Sequence, residues 1–374
     1  MSDINNFFTE LMGTDKRTNI PSTISSPVWS GGSATLTFTD GNTAGAISAV
    51  YTSSVQSGSS GDYYLDMYDK VGSDSTREIQ FAVAYGHFAG SGSVSTSAGN
   101  NPSKAVYRQF RNIGLRNAAS TDKFEFPEGT VNSTIEDVYV INVNRARYRE
   151  KIDPGNWELW LSGSNSGHGS GQSSGSGGDQ NLIKLIDDSG ATADSSINAS
   201  KRVFNIVSGS IQSGATVINT QAAAEIEGSG SYGLFYPELG LIVLNASRLD
   251  HQAPGNLNLG TVKTANVNED NHRKLVDAIH RGGKFQARRE EQIKSSHYFC
   301  RVKSDEYNFS QNPTYYQGTN AELQNNTFVQ DPKSYITTVG LYNNNNELLA
   351  VAKLSQPLLK SRDREAVIKV RLDF

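Results

Sequence analysis

Alternation of apolar and polar positions is clearest near the C-terminal end of the chain. Residues 335–342 (YITTVGLY) and 347–354 (ELLAVAKL) are two such segments, and they flank a run of asparagines at 343–346. Asparagine adopts positive φ more readily than most residues that carry a side chain, so this run can turn without glycine. The pattern predicts a β-hairpin with the asparagines at its turn.

The end of the chain shows the same alternation. Ile368, Val370, Leu372 and Phe374 are separated by single charged residues. A shift of one residue would move the whole apolar set to the opposite face, so the register of this strand is strongly specified. Chain termini fray unless something holds them. We therefore expect residues 366–374 to pair in the protein's own sheet or in a neighbour's.

Strands are also predicted through much of the remaining chain. Ile79, Phe81 and Val83 fall on one face of a strand by period two. Residues 138–141 are apolar at successive positions, which predicts a strand buried on both faces. Further short strands are separated by glycine, proline and aspartate turn signals, as in residues 236–240 (YPELG).

Helices are few in this pattern. One long helix is predicted over residues 268–283, with Asn268 as its cap and Gly282 as its stop. A short amphipathic helix is predicted over residues 3–13 (DINNFFTELMG), with Ile4, Phe7, Phe8 and Leu11 on one face. The fold class predicted from these elements is α+β, mostly β, with antiparallel sheets or sandwiches, few helices and long loops.

A change in composition suggests where the chain divides. Residues 162–180 consist almost entirely of glycine, serine and other polar residues, and such a segment buries very little. It is interpreted as a linker or an exposed loop. The expected organisation is an N-terminal β-rich domain (1–161), this linker (162–180), a second β-rich block (181–260), and a helix with the C-terminal hairpin and terminal strand (261–374).

Composition and charge narrow the class of protein. The chain has 34 Lys and Arg against 38 Asp and Glu, which argues against general nucleic-acid binding. Only 36% of its residues are hydrophobic, which is typical of a β-rich protein with long loops. Cys300 is the single cysteine, so no internal disulfide is possible. No signal peptide or long apolar segment is recognisable, so we expect synthesis in a cytoplasm and no membrane insertion.

Histidine and cysteine do not form a recognisable metal motif. His272 and His280 lie on the predicted helix but about 80° apart around its axis. His297 is close to Cys300 in sequence, but a second ligand pair is missing. Apolar neighbours of Cys300 predict an unreactive thiol. We interpret these residues as surface and strand positions and predict no metal site.

Other candidate motifs also lack the context that chemistry requires. Glycine runs at Gly90 and Gly228 are not followed by the lysine and helix of a phosphate loop, and we interpret them as hairpin ends or linkers. The carboxylates in 186–190 (IDDSG) and 225–230 (EIEGSG) are interpreted as turn entries. The basic stretch 144–151 (NRARYREK) is interpreted as an alternating strand edge on a solvated or intersubunit face. No catalytic residue, cofactor or metal ligand is predicted, and the chain is not expected to be an enzyme.

Aromatic residues mixed with asparagine, serine and glycine are the remaining conspicuous feature. They occur at 5–8 (NNFF), 62–68 (DYYLDMY), 233–238 (GLFYPE) and 312–318 (NPTYYQG). This mixture is typical of protein–protein interfaces. It also suits carbohydrate recognition, and the sequence leaves both interpretations open.

Several blocks of sequence resemble a known group of proteins. Residues 78–93, 139–157, 295–313 and 335–374 are similar to virion structural proteins of T-even-like myoviruses that infect cyanobacteria. The ending, in which QPLLKSRDRE (356–365) separates an apolar strand from a final alternating one, resembles the end of a baseplate wedge subunit of that group. The resemblance implies a non-enzymatic protein present in several copies around a tail, and no catalytic residue carries over from it.

The leading hypothesis is therefore a structural subunit of a contractile phage tail, of its baseplate in particular. Its expected partners are other tail or baseplate proteins in a symmetric assembly, with no nucleic acid and no membrane insertion. The expected location is the virion tail, after synthesis in the host cytoplasm. The alternative is a receptor- or glycan-binding tail fibre or fibre adaptor. A cell-wall hydrolase is a third possibility, but it would need a paired-carboxylate or metal motif that is not found.

The composition of residues 162–180 makes a prediction for limited proteolysis. Ordering a residue costs about 1–2 kcal/mol of backbone entropy, and this segment has almost no apolar surface to offset that cost. We expect a protease of broad specificity to cut the isolated chain first within 162–180, as identified by mass spectrometry of the fragments. First cleavage elsewhere, with this segment intact, would contradict the interpretation as a linker.

Overall fold

The chain divides into two compact units in a computed structural model. The sheet unit is Ile24–Glu291, and the terminal unit combines Met1–Thr23 with Gln292–Phe374. The structure describes residues 9–37, 47–51, 64–70, 74–94, 101–128, 131–163, 182–190, 199, 201–218, 231–250, 257, 259–264, 271–320 and 322–373.

Strands dominate both units. The described strands are β1 (Lys16–Pro27), β2 (Thr35–Thr37), β3 (Ile47–Tyr51), β4 (Tyr64–Tyr68), β5 (Ile79–His87), β6 (Phe124–Glu128), β7 (Val131–Ile135), β8 (Asp137–Val143), β9 (Lys151–Ser162), β10 (Leu182–Asp187), β11 (Phe204–Gln212), β12 (Ala215–Ile218), β13 (Gly233–Tyr236), β14 (Leu241–Asn245), β15 (Lys284–Val302), β16 (Tyr316–Gln317), β17 (Glu322–Leu323), β18 (Lys333–Tyr342), β19 (Leu348–Ser361) and β20 (Ala366–Asp373). The described α-helices are α1 (Pro102–Gly114), α2 (Ala246–Leu249) and α3 (Asn271–Gly282).

One large antiparallel sheet organises the sheet unit. Its strands follow the order β15–β9–β10–β11–β13–β14–β8–β5–β4–β3, with β2 beside β15 and β12 beside β11. Neighbours along this path pair antiparallel, as in β5 with β8 and β14 with β8. The predicted α+β class, mostly β with antiparallel sheets and few helices, is confirmed.

The central strands of this sheet are buried on both faces. Along β8, Tyr139 and Ile141 belong to the larger core, whereas Val138 and Val140 belong to a second core on the opposite face. Helix α3 contributes to the larger core and α1 to the second. The prediction of a strand buried on both sides at 138–141 is therefore confirmed.

Close contact between α1 and β5 depends on glycine. A Cβ atom added to Gly86 would lie 2.9 Å from the backbone Cα of Tyr107, so no larger residue fits without displacing the helix. The Tyr107 hydroxyl then donates a hydrogen bond to the Ile135 carbonyl (2.6 Å) and accepts one from the Phe124 N–H (2.9 Å). A single buried side chain thus connects the helix to the β6–β7 ribbon.

Two features of the sheet unit differ from the sequence predictions. Helix α1 was not predicted, although Pro102 follows Asn101 as in many helix starts and Val106 and Phe110 are spaced for one face. Ile79 lines the opposite face from Phe81 and Val83, because the pairing with β4 shifts register and the strand bulges there.

The domain boundaries also differ from those expected. Residues on either side of the predicted linker belong to adjacent strands, with Ser162 opposite Leu182, so they lie in one sheet rather than in two domains. Residues 261–291, which were assigned to the C-terminal block, supply α3 and the first part of β15 to the sheet unit.

Some sequence predictions concern residues that the structure does not describe. Most of the predicted linker (its residues 164–180) lies outside the described residues, as do the helix cap Asn268, most of the predicted N-terminal helix, Gly228 with the 225–230 turn, and Phe374. Helix α3 itself is confirmed, with Leu275, Val276 and Ile279 in the larger core.

Two tyrosines of the second core provide a matched test of the bonds at Tyr107. We expect Tyr107→Phe to lower the free energy of unfolding by roughly 1–3 kcal/mol, because it leaves two backbone groups unpaired. Tyr236 belongs to the same core, but its buried hydroxyl has no hydrogen-bond partner among the described residues, so Tyr236→Phe should be neutral or slightly stabilising. All three tryptophans lie in the sheet unit, and their fluorescence during urea unfolding measures both effects. Equal decreases in the free energy of unfolding for the two variants would contradict a stabilising role of the two hydrogen bonds at Tyr107.

Candidate functional site

The hairpin predicted near the C-terminus is the most distinctive element of the terminal unit. Strands β18 and β19 pair antiparallel from Lys333 opposite Ser361 to Tyr342 opposite Leu348. At the turn, the Asn343 N–H donates to the Glu347 carbonyl (3.0 Å), and Asn346 adopts a φ of 61°. The predicted hairpin and its asparagine turn are confirmed.

An irregularity divides the hairpin into a base and an outer part. Ile336 pairs with Leu358 and Thr338 with Lys353, so residues 354–357 oppose a single residue of β18. Pro357 lies in this stretch and has no N–H to donate, which is why such residues occur at bulges rather than in regular ladders.

The outer part carries apolar residues on both faces. Val339 pairs with Ala352 and Leu341 with Ala350 on one face, and Leu341 is buried. The other face and the tip are exposed. We call Tyr342, Leu348, Leu349 and Val351 the tip patch, within which Leu349 is 67% exposed and Val351 59%.

Gly340 gives the tip patch its shape. A Cβ atom at this position would lie 2.9 Å from the Tyr342 ring and 3.3 Å from Leu348, so the two side chains meet over bare backbone. Tyr342 and Leu348 therefore form a compact centre of the tip patch, with Val351 opposite Gly340 on the neighbouring strand.

Exposed apolar side chains are concentrated in the terminal unit. Among the described residues, every large apolar side chain that is exposed belongs to this unit except Ile24, Ile113 and Val217. The buried apolar residues of the terminal unit are few, in contrast to the two cores of the sheet unit. Within the described ranges they are Tyr315, Leu341, Ile368 and Val370.

A buried lysine holds the base of the hairpin instead of a large core. Lys360 is fully buried, and its Nζ donates to the Ser304 carbonyl (2.9 Å), the Asn308 Oδ1 (2.8 Å) and the Ser361 carbonyl (2.9 Å). Burial lowers the pKa of its ammonium group. The Ser334 hydroxyl adds a bond to the Tyr307 carbonyl (2.6 Å), so the 304–308 loop is tied to both strands.

Aromatic rings pack in the loop that follows. The Phe309 ring lies 5.2 Å from Tyr315 and 6.2 Å from Tyr316, and Tyr315 stacks on Phe328 at 5.3 Å. Tyr315 is buried in this cluster, while Phe309 is 53% exposed. The NPTYYQG segment singled out from the sequence thus organises a small aromatic cluster with one exposed ring.

The terminal strand is anchored within the protein. Strand β20 pairs antiparallel with β15, from Ser295 opposite Asp373 to Val302 opposite Ala366. Ile368 and Val370 are buried as predicted. Hydrogen bonds from the Ser295 hydroxyl (2.6 Å) and from Arg371 hold the pKa of Asp373 below its usual value.

The histidine and cysteine candidates are not brought together as a metal site. His297 and Cys300 are three residues apart on β15, opposite Arg371 and Ile368 respectively, so they face opposite sides of the strand. Burial raises the pKa of the Cys300 thiol. His272 is buried within α3. Among the described residues, no group of three His, Cys, Asp or Glu side chains is placed to hold a metal ion.

The turn candidates and the basic stretch have structural contacts. Gly90 has a φ of 96° in a turn after β5, and Asp187 accepts bonds from the Gly155 and Ser189 N–H groups at the end of β10. The basic stretch is not the strand edge that was predicted, because residues 145–147 form a 3₁₀ turn. Its side chains pair within the chain, as Arg147 does with Glu78 (2.6 Å).

One polar cluster was not recognised in the sequence. The Lys263 Nζ lies 3.1 Å from the Ser247 hydroxyl and 2.7 Å from Asp137. A serine–lysine pair can support nucleophilic catalysis only if the lysine is uncharged. The Lys263 side chain is instead paired with the Asp137 carboxylate, and the cluster is interpreted as structural.

Comparisons with known proteins give no assignment: no family model, no curated protein and no solved structure matches this chain. No helix in the described part of the chain is long and apolar enough to cross a membrane.

The buried lysine generates a prediction for the hairpin base. Lys360→Met keeps the aliphatic stem but removes the ammonium donor to the Asn308 Oδ1 and to the Ser304 carbonyl, of which the carbonyl keeps only its bond from the Asn308 amide (2.7 Å). Loss of such a donor typically costs about 1–3 kcal/mol. We expect faster amide hydrogen exchange in residues 304–308 and 333–336. Lys353→Met on the exposed surface of the same hairpin is the control and should leave exchange unchanged. Unaltered exchange in Lys360→Met would show that the loop is held by other contacts.

Proposed function

We propose that the chain is a non-enzymatic structural subunit of a contractile phage tail, most specifically of its baseplate, and that the hairpin is a surface through which it assembles. The observation that carries this proposal is the exposed tip patch on a hairpin that is well paired internally. Its residues are large, apolar and contiguous, whereas exposed residues of this kind are rare in the sheet unit.

The low stability of isolated β-ribbons and the gain from burying apolar surface favour a partner that covers the tip patch. An isolated two-stranded ribbon is marginally stable in water, and burying apolar surface contributes about 25 cal/mol per Å². Tyrosine and leucine side chains meeting over bare backbone at Gly340 suit the closely packed centre of a protein interface. A neighbouring protein chain is therefore the partner that this surface favours.

The strand edges of the hairpin support the same proposal. Within the described residues, β18 and β19 pair only with each other. Their outer edges leave backbone N–H and C=O groups available to a strand of a neighbour, which is a common mode of protein association. Assembly by strand addition needs no catalytic residues, consistent with the expectation that the chain is not an enzyme.

The assignment to a phage tail rests on the resemblance of the sequence blocks described above. The block 335–374 includes the hairpin and β20, so the resemblance is closest in the segment where the proposed interface lies. Subunits of such tails are present in several copies, which fits a surface that must be covered on every copy.

A receptor- or glycan-binding fibre adaptor is the second candidate. The observation that favours it is the Phe309 ring, which is exposed and braced by Tyr315 and Tyr316. An exposed, rigid aromatic face can stack on a sugar ring as well as on a protein. Under this alternative, the cluster around Phe309 and not the hairpin would determine function.

Substitutions in the tip patch test the assembly proposal. Leu349→Ser with Val351→Ser should leave the melting temperature of the isolated chain nearly unchanged, because both side chains are already in water. Central interface residues each contribute about 2 kcal/mol or more, so the double variant should be depleted more than tenfold from purified particles, as measured by quantitative mass spectrometry. Val217→Ser, an exposed valine of the sheet unit, is the control.

The outcomes separate the two candidates. Normal incorporation of the double variant, with normal particle morphology by electron microscopy, would contradict the assembly proposal. If such particles instead lose adsorption to the host when Phe309 is replaced by alanine, the adaptor function is favoured.

A further inference from the structure

A groove on the sheet unit is separate from the hairpin and is used by none of the roles described so far. It encloses about 960 Å³ on the α1 side of the sheet. Strands β4, β5 and β8 form its floor. Helix α1, the 145–147 turn and the 237–239 turn form its walls. This volume lies within the usual range for ligand sites and exceeds that of a single side chain.

The strand register places polar groups at fixed positions on the groove floor. Asp66 is opposite Ala82, and Ala82 is opposite Asn142, so the three residues form one row across adjacent strands. With strands about 4.8 Å apart, the Asp66 and Asn142 backbones are roughly 10 Å from each other. The small side chain of Ala82 leaves the space between them open.

Asp66 has no counter-charge in the described part of the chain. It is half-buried, forms no hydrogen bond or ion pair with any described residue, and burial raises the pKa of its carboxyl group. Glu238, in the wall, has one buried carboxylate oxygen to which no group in the described part of the chain donates a hydrogen bond. Removing such groups from water is unfavourable unless a donor or a positive charge compensates them.

Two arginines contact the aromatic rings of the groove, and one of them, Arg145, is itself part of its lining. The Arg145 guanidinium lies 4.6 Å from the Tyr148 ring and donates to the Glu150 carbonyl (3.3 Å). The Arg77 guanidinium lies 4.4 Å from the Tyr68 ring. Both tyrosines line the groove, so its aromatic rings already accept guanidinium groups from the chain itself.

We propose that this groove binds an arginine side chain presented by a partner protein, with Asp66 as its counter-charge. A guanidinium matches a carboxylate in a planar, bidentate arrangement and also stacks on aromatic rings. Tyr64 and Phe110 also line the groove, and the amides of Gln109 and Asn142 supply further acceptors. The remaining volume accommodates the backbone on either side of the arginine.

Short blocked peptides test this with the full-length chain. Acetyl-Gly-Arg-Gly-amide is titrated by calorimetry and by NMR, alongside the same peptide with glutamine, spermidine and maltoheptaose. We expect the arginine peptide to bind more tightly than all three. Tighter binding of spermidine would indicate a site for small polyamines, and tighter binding of maltoheptaose would indicate a saccharide site. Equal binding of the glutamine peptide would indicate a site that does not recognise charge. Each of these results would overturn the proposal.

Variants locate the binding on the groove. Asp66→Asn should weaken binding of the arginine peptide at least about tenfold, because removal of one partner of a charge pair lowers the affinity. Asparagine is nearly isosteric with aspartate, and the substitution removes a carboxylate that has no counter-charge among the described residues. The melting temperature of the Asp66→Asn variant should therefore not fall. Asp363→Asn, an exposed carboxylate of the terminal unit, is the control and should bind normally. The larger side chain of Ala82→Leu fills the floor of the groove and should abolish binding of the arginine peptide. Full affinity in both groove variants would overturn the proposal, and so would the absence of binding by the natural chain.

Discussion

Burial of both faces of the central strands is the constraint on which the sheet unit depends. Strands β8, β13 and β14 are apolar at nearly every position, so the sheet is stable only where something covers each side. Helix α3 contributes to one covering and α1 with the β6–β7 ribbon to the other. Gly86 makes the second covering possible because it lets the helix backbone reach the sheet. Beyond that contact, where the floor carries Asp66, Ala82 and Asn142, the sheet face is left open as a groove.

The terminal unit is organised by a different principle. Its buried ammonium group at Lys360 collects three neutral oxygens and fixes the 304–308 loop against the hairpin base. Directional bonds of this kind specify geometry without requiring a large apolar interior. The hairpin can therefore present its apolar residues outward while its base stays fixed. The residues that hold this unit together are therefore different from the apolar residues that the hairpin exposes.

Sequence periodicity predicted many of the strands and α3 because their apolar residues recur at the spacing of one face, but it did not predict β1, β6 or β7. It also did not predict α1, which has few apolar residues, although Val106 and Phe110 have the spacing of one helix face and Pro102 marks the start. Nor could it place Ile79, since a bulge depends on the partner strand. Alternation shows which residues share a face but not whether that face is covered. For the exposed apolar face of the hairpin, the signal in the sequence was the apolar run LLAVA at the start of β19. Apolar residues at successive positions lie on both faces of a strand. Asp66 and Asn142 meet only through pairing registers that no local pattern contains.

The scarcity of buried apolar residues in the terminal unit has a consequence for its response to temperature. Unfolding raises the heat capacity of a protein mainly because apolar surface enters water. In this unit much of that surface is already hydrated, so its heat-capacity change on unfolding is small and its free energy of unfolding varies gently as the temperature changes. In the proposed assembly, the larger change accompanies covering of the hairpin by a neighbour, since apolar burial on association lowers the heat capacity. Warming or cooling would then act on association of this unit more strongly than on its folding.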